Sequence, residues 1–219
     1  MKKMILLLIV VLLAIPATAS GNSAFQIARL KYEGGGDWYN DPSSEVNLLK
    51  FVSENTNINV NPEYIPVDIR TNDIFKYPFL FVTGHGSVVF TESQKTKLEM
   101  YLESGGFIYI DDDYGMDKFI RPLLNDLLPD ANLETIPLTH PIFSSHFEFE
   151  TGVPKVHEHD DKVPEVLGLY QNGRLCLLYT YESNPSDGWA DADIHNNSPH
   201  LREQALKFGT NVIVYALTY

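Results

Sequence analysis

A single cysteine, Cys176, rules out an intrachain disulfide. Basic residues are also scarce, with 16 Lys and Arg against 29 Asp and Glu for a net charge of −13. No basic cluster overrides that balance, so a nucleic-acid partner is disfavoured. Internal repeats and low-complexity linkers are absent. The glycine run Gly34-Gly35-Gly36 has the spacing of neither nucleotide-binding loop, and no Lys-Ser/Thr follows it. The apolar run at residues 4–15 is about 12 residues long, too short to span a bilayer.

That run has the pattern of a leader. Lys2 and Lys3 form a charged start, residues 4–15 an apolar core, and Ala17-Thr18-Ala19 a small-residue cleavage site. Residues 1–19 are therefore expected to be a cleaved signal peptide, and no cysteine follows to carry a lipid anchor. The expected mature chain is residues 20–219, exported to a periplasm or the exterior, with no stable membrane span. Removing Lys2 and Lys3 from the 16 basic residues leaves 14 against 29 acidic ones, a net charge of −15. Such an acidic surface favours solubility.

The mature chain reads as one domain. Residues 25–32 alternate as a first strand, and a glycine-rich turn with Asp37, Trp38 and Tyr39 follows. Asp41-Pro42 predicts a helix start with Asp41 as N-cap, and Val46, Leu48, Leu49, Phe51 and Val52 form its apolar stripe. A strand within residues 58–69 carries Pro62 and Pro66, which suits a sheet edge. Residues 79–82 form a buried strand, Thr91 with Gln94 a capping box, Gly105-Gly106 a helix stop, and residues 107–110 the next strand. This βαβ unit makes the two strands parallel, so the Gly84-His85-Gly86 loop and Asp111-Asp112-Asp113 are expected at one sheet edge. A helix over residues 116–128 containing Pro122, a short strand near 133–138, a β-hairpin over 166–180 turning at Asn172-Gly173, and a helix after Ser198-Pro199 complete the pattern. Two irregular stretches, residues 144–164 and 181–199, carry His146, His157, His159, Trp189 and His195.

The motifs Lys31-Tyr32-x-Gly-Gly-Gly-Asp37-Trp38-Tyr39, Pro78-Phe79-x-Phe-x-Thr-Gly84-His85-Gly86, Tyr101-Leu102-x-x-Gly-Gly-Phe107 and Ala205-Leu206-Lys207-Phe208-Gly209-x-Asn211 resemble those of the domain of unknown function family 4159. The likeness runs over about residues 25–217. It implies a three-layer α/β sandwich, flavodoxin-like and similar to class I glutamine amidotransferases, with a mostly parallel central sheet. Working amidotransferases carry a cysteine elbow after a strand. Here the matching strand leads into Asp111-Asp112-Asp113, and a carboxylate cannot form the thioester that glutamine hydrolysis needs. Cys176 lies within Leu175-Cys176-Leu177-Leu178 and reads as a small buried residue. Glutaminase activity is not expected.

The candidate catalytic residues are His85, Asp111, Asp112 and Asp113, with one aspartate expected to cap the following helix. Candidate ligand contacts are Gly35, Gly36, Asp37, Trp38, Gly84, His85, Gly86 and His140, the last from a His-Pro that the resemblance includes. His157 and His159 share a face of an extended segment but read as solvated loop charge. No cofactor is required, although carboxylates and imidazoles leave room for a divalent metal. Two functions fit. One is an exported module binding a small molecule or an envelope protein. The other is a carboxylate/His hydrolase, with or without a metal, acting on a carbohydrate- or peptide-related substrate.

Overall fold

The computed structural model describes residues 24–128, 131–157 and 159–219, and the expected signal peptide at 1–19 lies outside them. Among the described residues seven strands form one sheet: β1 (Ala28–Lys31), β2 (Ile65–Asp68), β3 (Phe79–Val82), β4 (Phe107–Asp111), β5 (Glu134–Thr135), β6 (Glu165–Gln171) and β7 (Arg174–Tyr181). Their order is β2-β1-β3-β4-β7-β6-β5. The pairings from β2 through β7 are parallel, while β6 runs antiparallel to both β7 and β5. Helices α1 (Ser44–Asn55) and α4 (Pro199–Thr218) cover one face through Leu48, Leu49, Val52, Phe208, Val212 and Ile213. Helices α2 (Glu92–Glu103) and α3 (Asp117–Leu127) cover the other through Leu98, Leu102, Ile120 and Leu124. This is a three-layer α/β sandwich of the flavodoxin-like kind. Its chain order reverses between β1 and β3, the switch point where such sheets open a crevice.

Local chemistry explains most boundaries. The Thr91 hydroxyl accepts from Gln94 N at 3.3 Å and Gln94 Oε1 accepts from Thr91 N at 2.8 Å, which completes the capping box of α2. Asn172 (φ 52°) and Gly173 (φ 78°) are both left-handed, as a two-residue hairpin turn between β6 and β7 requires. Pro66 sits on edge strand β2, where a missing donor is tolerated. One expectation needs correcting. Asp41 does not cap α1, which begins at Ser44, because Asp41 takes a left-handed turn (φ 43°) and its carboxylate faces His195.

The Phe208-Gly209-x-Asn211 block is a packing device. A Cβ on Gly209 would stand 2.7 Å from Trp189 Cζ2 and 2.8 Å from Leu48 Cδ1, so glycine lets α4 lie down on the indole. Trp189 in turn packs 5.3 Å from Phe81 and donates Nε1–H to Ala205 O at 2.9 Å. The Asn211 amide accepts from His146 N (3.2 Å) and Phe147 N (2.7 Å) and donates to Ile142 O (3.2 Å) and Phe147 O (2.7 Å). Four bonds from one buried amide pin the 142–147 turn to α4. Among the described residues, no helix is long and apolar enough to cross a membrane.

Candidate functional site

Because β3, β4 and β7 run parallel, their carboxyl ends share one edge, and the three aspartates divide the work there. Asp111 is fully buried, and its carboxylate accepts from Thr180 Oγ1 (2.5 Å), Ser186 N (2.8 Å) and Ser186 Oγ (2.6 Å). It anchors the loop after β7. Burial pushes its carboxyl up to about 7, partly countered by the Ser186 and Thr180 hydrogen bonds. Asp112 faces the opposite side and accepts from Met116 N and Asp117 N, both at 2.9 Å. It is the helix-capping aspartate, performing its task from five residues before Asp117. Burial raises it to about 6 against those bonds.

Asp113 is the aspartate left facing the crevice. It is 2% exposed, with one oxygen 3.3 Å from His85 Nδ1 and bonded to Asn40 Nδ2, and the other 3.2 Å from Asn184 Nδ2. Burial raises its carboxyl to about 7, with the negative charge of Asp187 pushing the same way and His85 opposing. His85 is half-exposed. Its Nδ1 lies 3.0 Å from Asp37 Oδ2, and its backbone N–H donates to Asp37 Oδ1 at 2.5 Å. Asp37, His85 and Asp113 thus come together at the β1/β3 switch point.

The remaining expected contacts divide. Gly36 donates to Ser87 O at 3.0 Å, and a Cβ there would stand 2.8 Å from His85 O. Gly84 (φ 134°) admits the Tyr32 hydroxyl, which donates to Thr83 O at 3.0 Å. Gly35 (φ 90°) and Gly86 (φ 77°) are left-handed turn residues. Gly36 and Gly84 let two loops approach each other closely, whereas a Cβ on Gly35 or Gly86 would meet open space. Trp38 packs against the core under Lys31, whose Nζ is 5.0 Å from the ring. His140 is elsewhere. Its ring caps a short turn by accepting from Ile142 N at 3.1 Å and sits 5.2 Å from the Tyr215 ring and 6.0 Å from that of Tyr170, at the amino edge of β7.

The structure adds residues the sequence did not single out together. Asp187, 2% exposed, lies on the turn Pro185–Gly188 with one oxygen 3.0 Å from His157 Nδ1 and 3.8 Å from His195 Nδ1. His195 Nε2 is 2.8 Å from Asp41 Oδ2. Burial lifts Asp187 to about 6, opposed by His195. His159 lies tilted against Tyr114 with centroids 4.3 Å apart and accepts from Asn184 Nδ2 at 3.1 Å; burial lowers its basicity. The backbone bears strain at the same place, since Asp41, Glu182 and Asn184 all hold positive φ without being glycine. A cavity of about 170 Å³ opens beside them, lined by Asp113, Tyr114, His159, Glu182 and Asn184 among others. Asn40 Oδ1, Glu182 Oε2, Asn184 Oδ1 and Asp187 Oδ1 are buried acceptors that no donor among the described residues reaches.

Chemically, the edge is rich in acceptors and carries no thiol. Cys176 is fully buried on β7, donates to Leu169 O at 3.3 Å and is pushed up to about 11 by burial. The folded protein is therefore expected to resist a maleimide or disulfide thiol reagent, with one equivalent reacting only after denaturation. Stoichiometric labelling of the native protein would contradict this placement. In comparison with known proteins, residues 26–217 match the profile of the family described as Domain of unknown function (DUF4159). No curated protein matches the chain.

Proposed function

The chain belongs to the DUF4159 family, and from that premise we propose that it is an exported ligand-binding module on an amidotransferase-like fold that has no glutaminase activity. The observation that carries this reading is the group of four unreached acceptors, Asn40 Oδ1, Glu182 Oε2, Asn184 Oδ1 and Asp187 Oδ1, at the carboxyl edge of the sheet. A buried acceptor without a donor is costly to leave unmade, and such atoms are rare in folded proteins. Four at one edge, beside carboxylates whose burial disfavours charge, suit a small ligand rich in N–H or O–H donors. Of the four, those of Glu182 and Asn184 belong to residues lining the 170 Å³ cavity, whose size sets the ligand's scale to one compact polar group, such as a hydroxylated ring or an amine. The position of the cysteine elbow is occupied by Asp111 and Asp112, both committed to loop and helix anchoring, which supports binding without acyl transfer.

The test is a thermal-shift and calorimetric screen of the metal-stripped mature protein against small sugars, polyols, amines and L-glutamine. At least one donor-rich compound is expected to raise the melting temperature of the wild type but not of Asn184→Ala, with no ammonia released from glutamine. A panel without a single hit counts against the reading. Turnover of an ester, peptide or glycoside that disappears in His85→Ala would replace it with hydrolysis through His85 and Asp113. For export, the protein recovered from outside the cytoplasm should begin at residue 20.

A further inference from the structure

We propose that His157, His195 and Asp187 form a binding site for a divalent transition metal of the zinc type. The three residues come from separate loops: the strap before β6, the segment before α4, and the turn after β7. The strap is tied to the loop that carries Asp187, and the segment with His195 runs into the cap of α4. Val156 N donates to Ser183 O at 2.7 Å beneath His157, Asp187 N to Asn184 O at 3.2 Å, and Ser198 caps α4 just beyond His195 by accepting from Leu201 N at 3.2 Å. One ligand atom from each of the three residues lies within 4.8 Å of the other two. From Asp187 Oδ2, the Nδ1 atoms of His157 and His195 stand at 3.0 and 3.8 Å. Ligand atoms around a tetrahedral zinc bound at roughly 2.1 Å stand about 3.4 Å apart, so those separations straddle what a bound ion needs.

Two further features suit a metal cation in place of the ring protons. His195 Nε2 meets Asp41 Oδ2 at 2.8 Å, the arrangement in which a carboxylate holds the far ring nitrogen as donor. In that neutral tautomer the Nδ1 lone pair is turned toward Asp187, and either a second ring proton or a metal ion lies between the two acceptors; zinc would take the place of that proton. Asp187 itself is 2% exposed, and its Oδ1 is reached by no donor among the described residues. The groups paired with Asp41, Asp113 and Asp187 are imidazoles, which serve equally as metal ligands. Two imidazole nitrogens and one carboxylate favour zinc, or a neighbouring first-row ion, over calcium or magnesium. Such a set leaves a coordination position for water or for a donor group of a ligand.

The site adjoins the organic-ligand seat, but the two readings fail separately. Zinc uptake without any organic hit leaves this one standing, and an organic hit on metal-free protein leaves the other. The probe is Zn²⁺ titrated into chelator-stripped mature protein, followed by calorimetry and metal analysis after dialysis, with Co²⁺ substitution for its visible ligand-field bands. One equivalent is expected, together with a higher melting temperature and intense tetrahedral Co²⁺ bands. His157→Ala changes a half-exposed side chain and should leave the fold intact while abolishing stoichiometric uptake. His195→Ala should do the same. Asp41→Asn should weaken zinc by about 10–100-fold without removing it, because it only orients a ring. His140→Ala, at the far edge, should bind like the wild type. Failure of the folded wild type to take up zinc or cobalt, or uptake unchanged in both His157→Ala and His195→Ala, overturns the proposal.

Discussion

Replacing Glu45 with alanine is expected to destabilise the protein by about 3–5 kcal/mol, measured as a fall in the urea midpoint at constant slope. Glu45 and Arg29 are both 0% exposed, and they meet in a two-point contact, Nε to Oε1 and Nη2 to Oε2. Removing the carboxylate leaves a guanidinium in the layer between β1 and α1, with Asn40 O and Trp38 O as its other polar contacts. Its apolar surroundings, Tyr64 at 5.1 Å and Phe81 at 5.7 Å, cannot replace a counter-charge. Burial pushes the Glu45 carboxyl above the usual range while Arg29 pulls it back, so neither partner is comfortable without the other. The double variant Arg29→Met/Glu45→Leu should recover most of the loss, because a well-packed apolar pair often does as well as a buried ion pair. A loss below about 1 kcal/mol for Glu45→Ala would mean that the pair is solvated, as surface pairs are. The same substitution should also loosen the functional edge. Arg29 holds Asn40 by its carbonyl, and Asn40 Nδ2 reaches Asp113.

That pair marks a limit of reading the sequence. The stripe expected for α1 contained Val46, but the buried face is Glu45, Leu48, Leu49 and Val52. Helical spacing of i, i+3, i+4 and i+7 is satisfied with a charge at its first position, and a hydrophobic pattern cannot place a charge indoors. Only the pairing of β1 with β2 and β3, which buries Arg29, supplies the reason. Where local chemistry decides, the sequence was enough: Thr91 and Gln94 cap α2, Asn172-Gly173 turns the hairpin, and parallel β3 and β4 deliver His85 and Asp113 to one edge. The alternation of a strand also separated Asp112, which caps α3, from Asp111 and Asp113. The other half of the site was not legible. His157, Asp187 and His195 are far apart in sequence on irregular segments, and their meeting depends on the backbone bonds from Val156 N and His157 N to Ser183 O and on the turn that carries Asp187. The His157 segment reads as solvated charge until the loop it docks on is known.

Stability should increase as the pH falls from 8 to 5, the reverse of what paired surface carboxylates produce, and Asp111 should supply a large part of the change. Its folded carboxyl is raised to about 7, first by burial and then by the negative charge of Asp113, whereas in the unfolded chain it titrates near the ordinary 3.8. Between those values the folded protein holds a proton that the unfolded chain has released. The contribution is therefore complete below the unfolded value and is lost as the pH rises through about 7. Over pH 5 to 8 the loss amounts to about 2–3 kcal/mol for a group shifted this far. Asp112, raised to about 6, acts in the same direction. Asp113 and Asp187, which crowd each other at the crevice, do so as well. Asp68, lowered to about 2 by Arg70, is ionised throughout this window and adds no slope. His140 and His159, lowered by burial, oppose the trend, and His195, raised against the effect of its burial by Asp187 and Asp41, supports it. Asp111→Asn isolates the effect. The amide oxygen can still accept from Ser186, and the charge is gone, so the variant's stability should change by about 2–3 kcal/mol less than the wild type's between pH 5 and 8. Asp111→Ala instead leaves Ser186 N, Ser186 Oγ and Thr180 Oγ1 without their shared acceptor and should lose about 3 kcal/mol even at pH 5. Urea melts of chelator-treated protein at the two pH values provide both numbers. Equal pH dependence in the wild type and Asp111→Asn would show that the carboxylate is ionised throughout and that the loop carrying Asp187 is anchored by a charge.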